Sequence, residues 1–416
     1  MNISKNSKQM MLFFTQNNYI HKVKHSKRTN GIIGELYKYI YQAHIYLTNL
    51  KQSGQYYNIA TNKITNASHI TRPKTFNLNS FPEEVRTHIN KYTMTEISYN
   101  FSLYGRNVKI YFIIEDHIDE VKIETFNKYI DTIIMWLYIL NQCASKQCAT
   151  SLVVYFYFTS LEKKLPLSNM QTLDEIHINT AFTTTCPKDS EIVIFRKEEW
   201  FKVFIHETFH NFSLDFSDMN NNEAHHCILD IFKVNSDVNL YESYTECWAE
   251  IMNALFCSFF SIKDKTDTAS FLSNSEFFIN FERNYSFFQV VKALQFMGLQ
   301  YKSLYSTSAQ GKTLRDNLYK EKTSVLSYYV IKTVLLNNYQ GFLFWCKTNN
   351  PSLLQFKKTI ENQREYCKFI GKNYKSISML DGIYETEKFL NSIQKGKQKK
   401  NNYILSNLRM SICEMG

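Results

Sequence analysis

The segment Phe204-Ile205-His206-Glu207-Thr208-Phe209-His210-Asn211-Phe212 holds two histidines four residues apart, with a glutamate beside the first. On a helix, residues four apart share a face, about 40° apart around the axis, so both imidazoles can reach one metal ion. Glu207 then falls near the open side of that ion, where a carboxylate can take a proton from water. Imidazole and carboxylate ligands with one open position suit Zn²⁺. Such an ion lowers the pKa of its water from about 15.7 towards 7. With 11 His in 416 residues, chance would produce this pattern in about one such chain in a hundred. Burying two histidines and a glutamate in an apolar helix without a partner would also be costly.

A hydrolytic zinc needs a third protein ligand. A metzincin pattern would place a Gly at position 213 and a His or Asp at 216, but Ser213 and Phe216 stand there and Asp215 is out of register by one. Cys186 lies upstream in Thr185-Cys186-Pro187-Lys188, which does not resemble the cysteine-ligand segment of peptide deformylases. His225 and His226 sit in an Asn-rich insert, where loop histidines are usually not ligands. Downstream, Glu242, Glu246 and Glu250 recur at i, i+4 and i+8 and share one helical stripe. A solvated acidic face is the plain reading. Trp248, Ile251, Leu255 and Phe256 argue against it, as does the lack of a Lys or Arg one turn away. Glu246 is preferred as ligand with Glu250 orienting a ligating imidazole; the other phase, Glu242 as ligand with Glu246 behind it, stays open.

The elements that must position these residues are legible in outline. Periodicity predicts the motif helix at about 198–214, apolar on most sides as a core helix should be, and the glutamate helix at about 239–260. Alternation predicts a hairpin from 97–101 and 108–112 around Tyr104-Gly105, then strands at 152–158, 177–184 and 191–195. A helix at 119–140 separates the hairpin from the first of these strands. Helices are expected at 275–305, 322–348 and 352–371. The division follows: a polar, mostly helical leader at 1–95, a catalytic unit at 96–260, a helical subdomain at 261–394, and a basic tail at 395–416. The fold class is α+β.

Bulk composition constrains the rest. With 44% hydrophobic and 21% charged residues the chain can bury a large core, and 11 Gly with 5 Pro argue against many short strands. An excess of Asn, Lys, Ile, Tyr and Phe fits an AT-rich genome. The net charge of +10 gathers at the ends, at Lys5, Lys8, Lys22, Lys24, Lys27 and Arg28 and again at Lys395, Lys397, Lys399 and Lys400. Such ends imply weak, salt-sensitive polyanion contact, with no nucleic-acid module. Nine scattered cysteines without a C-x-x-C pair fit a reducing, intracellular compartment better than a disulfide framework. No apolar run is long enough for a signal peptide or a membrane span.

The motif and the glutamate stripe together resemble the gluzincin branch of zinc metallopeptidases, in which a Glu on a second helix completes the zinc site. Glu246-Cys247-Trp248-Ala249-Glu250 is similar to the E-x-[FW]-A-E form of lethal-factor-like members, whose first Glu binds zinc. The blocks 192–200 and 241–250 also resemble uncharacterised metallopeptidase-like proteins of giant DNA viruses. The resemblance implies a zincin-like domain, with a small mixed sheet and two site helices flanked by mainly helical regions. It also implies hydrolysis of peptide bonds through a zinc-bound water activated by Glu207, and ligands His206, His210 and Glu246. By the same analogy 177–183 is the edge strand that binds an extended peptide, and Tyr328 of Ser327-Tyr328-Tyr329 donates to the oxyanion. The chain departs from the family in the long gap between His210 and Glu246 and in lacking an Asn-Glu signature. The alternative is a catalytically idle zincin-fold protein with a structural or virion role, which would have no need of Glu207.

Overall fold

A computed structural model of the chain describes residues 3–395 and 402–416; Lys397, Lys399 and Lys400 of the expected tail lie outside the described residues. The strands are β1 (Asn58–Lys63), β2 (Thr95–Leu103), β3 (Arg106–Ile114), β4 (Ser151–Phe158), β5 (Ala181–Thr183) and β6 (Asp189–Ile194). The helices up to the glutamate helix are α1 (Lys5–Gln16), α2 (Lys27–Gln52), α3 (Glu83–Tyr92), α4 (Ile123–Cys143), α5 (Glu175–Ile178), α6 (Trp200–Asn211), α7 (Asn222–Ile231) and α8 (Leu240–Ser261). Beyond it come α9 (Thr268–Phe296), α10 (Ala309–Leu318), α11 (Lys332–Asn337), α12 (Tyr339–Asn349), α13 (Ile360–Asn373), α14 (Ile377–Lys395) and α15 (Asn402–Ser406).

The strands form one mixed sheet in the order β1-β2-β3-β4-β6-β5. The β2–β3 pair is the expected hairpin, turning through Tyr104 and Gly105, both at positive φ. β3, β4 and β6 run parallel, with α4 as the crossover from β3 to β4. β5 returns antiparallel to β6 and forms one edge. Alternation divides each strand between two cores. Val154, Phe156, Ile192 and Ile194 face the large helical body, while Tyr155, Tyr157, Val193 and Phe195 face a smaller cluster under α3. The fold is therefore α+β, with helices massed on one side of the sheet.

Three sequence expectations need correction. The strand expected at 177–184 is a helical turn at Glu175–Ile178 followed by three residues of strand. The helix expected at 322–348 is broken: a π-helical turn spans Leu326–Ile331, and Asn338 separates α11 from α12. The part of the expected basic tail at 408–413 is not solvated. Leu408, Met410, Ile412 and Cys413 are buried, because inward-facing carboxylates accept their chain's N–H groups. Glu199 accepts from Met410 N (3.0 Å) and Ser411 N (2.6 Å), and Glu282 from Ile412 N (3.0 Å) and Cys413 N (2.9 Å). At the other end Lys5, Lys8, Lys22, Lys24, Lys27 and Arg28 are exposed, while Met10, Phe14, Ile33 and Leu36 from the same leader lie in the main core.

The cysteines also depart from expectation. Cys148 and Cys186 form a disulfide that ties the loop before β4 to the loop before β6. Among the described residues no helix is long and apolar enough to cross a membrane.

Candidate metal centre

All twelve residues of α6 are buried. The helix lies between the sheet and α8, so its polar side chains must find partners inside the protein. They find them on α8, whose glutamate stripe faces them in antiparallel order. Lys202 meets Glu246, His206 lies between Glu246 and Glu242, and His210 meets Glu242.

At the upper end three ligand atoms converge. His206 Nε2 stands 3.2 Å from His210 Nε2 and 3.1 Å from Glu242 Oε2, and His210 Nε2 stands 3.3 Å from the same oxygen. Zinc bonds of about 2.0–2.2 Å at tetrahedral angles give ligand–ligand edges of about 3.3–3.6 Å, a little longer than these separations. These residues are the group among the described ones whose His and carboxylate atoms could hold an ion. The donor set, two imidazoles and one carboxylate, is one that zinc takes in catalytic sites.

Each imidazole is steered from behind. The Nδ1–H of His206 donates to Glu246 Oε2 (2.8 Å), and the Nδ1–H of His210 donates to Asp215 Oδ2. These bonds fix the tautomer that leaves both Nε2 lone pairs facing Glu242. The orienting carboxylates are held in turn. Glu246 pairs with Lys202 Nζ (2.6 Å), while Asp215 accepts from Ser217 N (3.1 Å), Ser217 Oγ (2.8 Å) and Thr245 Oγ1 (3.2 Å). The electrostatics point the same way. Burial disfavours charge on the imidazoles, but Glu242, with Glu246 at one ring and Asp215 at the other, overrides it and raises both. Burial likewise works against charge on Glu242, yet the two imidazoles hold its carboxyl far below the usual range. The cluster favours positive charge where the three atoms meet.

The structure brings a different glutamate to the two Nε2 atoms from the one preferred on sequence grounds. Glu242, the open alternative, supplies the oxygen; Glu246 sits behind His206. Glu250 does not reach either imidazole, because it forms a buried pair with Lys332 (2.6 Å) two turns along α8. The glutamate that faces both imidazoles lies one turn before the preferred one on the same stripe. No cation near the glutamates in sequence revealed this, since Lys202 and Lys332 come from other helices.

Glu207 and Tyr328 line one small cavity beside His206. Glu207 is 7% exposed and borders a cavity with His206, Thr180, Ala181, Tyr328 and Met410. Burial raises its carboxyl, with His206 and His210 opposing, which brings it towards the range where a general base works best. Tyr328 sits in the π-helical turn with its ring 5.9 Å from that of His206. Burial, then Glu242 and Glu207, push its phenol well up, so it stays a proton donor. β5 begins at this cavity, and the buried Thr180 hydroxyl there has no partner. The cavity measures about 40 Å³, space for a water but not for a peptide.

Sequence reasoning missed Asp215, Lys202 and Met410. A Lys one turn before the motif, inside an apolar helix, is the available signal for Lys202, and Asp215, out of register as a ligand, orients His210 instead. His225 and His226 lie on α7 bonded to Val238 O (3.2 Å) and Asn222 O (2.7 Å), outside the cluster. Compared with known proteins, the chain matches no family model, no curated protein and no solved structure.

Proposed function

We propose that this chain is a zinc-dependent metallopeptidase of gluzincin type with a zincin-like core. The observation that carries the reading is the triangle of His206 Nε2, His210 Nε2 and Glu242 Oε2 with edges of 3.1–3.3 Å, backed by a carboxylate behind each imidazole. Zn²⁺ held there would polarise a substrate carbonyl and acidify a water molecule. The other roles belong to the protein. Glu207 takes the proton of the attacking water and passes it to the departing amine. The Tyr328 hydroxyl donates to the oxygen on which charge develops. The free outer edge of β5 aligns an extended peptide by strand addition. Glu246 and Asp215 hold the imidazoles in orientation.

A second reading, a zincin-fold protein kept for structure or partner binding, is favoured by one feature, the 40 Å³ cavity that excludes a peptide. An acidified water and a base are of no use to such a protein, so Glu207 separates the two. The purified chain is expected to carry one zinc and to cleave members of a peptide library until a chelator is added. Glu207→Gln lowers kcat/KM by about 10²–10⁴-fold with zinc retained, as loss of a general base should. Full activity in that variant, or a zinc-loaded wild type that cleaves nothing, overturns the peptidase reading.

A further inference from the structure

The nine cysteines are scattered in sequence, but folding brings six of them together in three pairs. Cys148–Cys186 is bonded. Cys257 of α8 meets Cys413 deep in the core, where both are buried and no reagent has access. The third pair differs. Cys227 of α7 and Cys367 of α13 both line an open cavity of about 480 Å³, and Cys227 is partly exposed.

The two helices are clasped around this pair. Arg364 forms a forked pair with Glu223 (2.9 and 3.1 Å), and Gln363 Nε2 donates to Asn221 Oδ1 (2.9 Å). Cys367 Sγ points at Ala224 O (3.9 Å), one turn before Cys227. The next turn of each helix therefore brings the two thiols together on the wall of the same cavity. No other His, Asp or Glu joins them in a metal-binding group among the described residues.

We propose that Cys227 and Cys367 form a redox site that a disulfide oxidant converts into a covalent bond between α7 and α13. Cys227 is the more exposed of the two, and the neighbouring Cys367 thiol holds its thiol below the ordinary range, so Cys227 is the attacking group. Its thiolate attacks one sulfur of the oxidant, for example oxidised glutathione, and expels one thiolate. Cys367 then loses its proton and attacks the Cys227 sulfur of the mixed disulfide, expelling the second. Two protein thiols are oxidised to one disulfide, and the oxidant is reduced to two thiols. The bond would fix α7, which lies between His210 and Glu242 in the chain, against α13, whose Tyr366 hydroxyl meets Ser243 of α8 (3.0 Å).

The test treats the folded full chain with oxidised glutathione, blocks remaining thiols by alkylation, and maps peptides without reduction. The expected result is a peptide joining Cys227 to Cys367, beside the Cys148–Cys186 peptide as internal standard. Its appearance raises Tm by about 3–6 °C, reversed by dithiothreitol, because the bond closes a long loop. Cys227→Ser and Cys367→Ser lose both the peptide and the shift. Should either variant fail to fold, the wild-type map decides alone. A Cys227 that stops at the glutathione adduct, thiols that both remain alkylatable, or a bond to a different partner overturns the proposal. The measurement involves no metal, so it stands or falls apart from the metallopeptidase reading.

Discussion

The two ends of the glutamate stripe on α8 use the same residue for opposite purposes. At the far end Glu250 meets Lys332 at 2.6 Å, and Glu246 meets Lys202 at the same distance. Those pairs are closed to solvent. At the near end Glu242 faces two imidazoles whose other nitrogens are already committed to Glu246 and Asp215. Three lone-pair donors there converge on one point. A glutamate in this core thus closes an ion pair where only a lysine stands opposite, and joins a group that could hold a metal ion where two histidines do. The difference is set by the facing helix, not by α8.

The largest expected effect separates the ends outright. Glu242→Gln removes the only carboxylate of the triangle, and zinc measured by elemental analysis should fall from one per chain to near zero with the fold intact by circular dichroism. Lys332→Met should do the reverse. It leaves Glu250 buried without its cation, which costs about 3–5 kcal/mol in chemical denaturation, while zinc per folded chain stays at one. Adding Glu250→Leu should restore most of that stability, since an apolar pair often replaces a buried ion pair at little cost.

Acid should attack the cationic side next. Burial opposes charge on Glu199, but Lys163, Lys202 and Arg409 hold its carboxyl down to about 2 from an ordinary 4.5. The unfolded chain therefore takes up this proton first as pH falls. The stabilisation is full above about pH 4.5 and is lost between there and pH 2, amounting to about 3 kcal/mol. Glu199→Gln should flatten that part of the stability profile and loosen the 408–413 segment in hydrogen exchange. The smallest effect belongs to orientation alone. Asp215→Asn keeps an acceptor near His210 but removes its charge, and zinc affinity in a chelator competition should fall by about tenfold to a hundredfold. An unchanged affinity would mean that Asp215 supports the loop and not the imidazole.

Much of this was readable from the residues. The strongly periodic segments, including β2–β3, α4, α6 and α8, appear where their patterns predict them, because burial enforces a period that local sequence records. The C-terminal segment carries a weak signal of its own, since Leu408, Met410 and Ile412 alternate, but the lysine run ahead of it points to a solvated tail. The break in the helix after Tyr328 and the short β5 have no local signature; they depend on what packs against them. Contacts such as Cys227 with Cys367 or Glu199 with Ser411 join residues far apart along the chain, and no spacing rule reaches that distance.

For the site, sequence alone determined that His206 and His210 share a helical face with Glu207 beside them, since covalent connectivity and 3.6 residues per turn leave little freedom. It also determined that a glutamate from one stripe would answer them. Which glutamate did so was decided only by tertiary structure. The phase between two packed helices depends on how both are seated against the sheet and the remaining core, and neither helix carries that information in its own period.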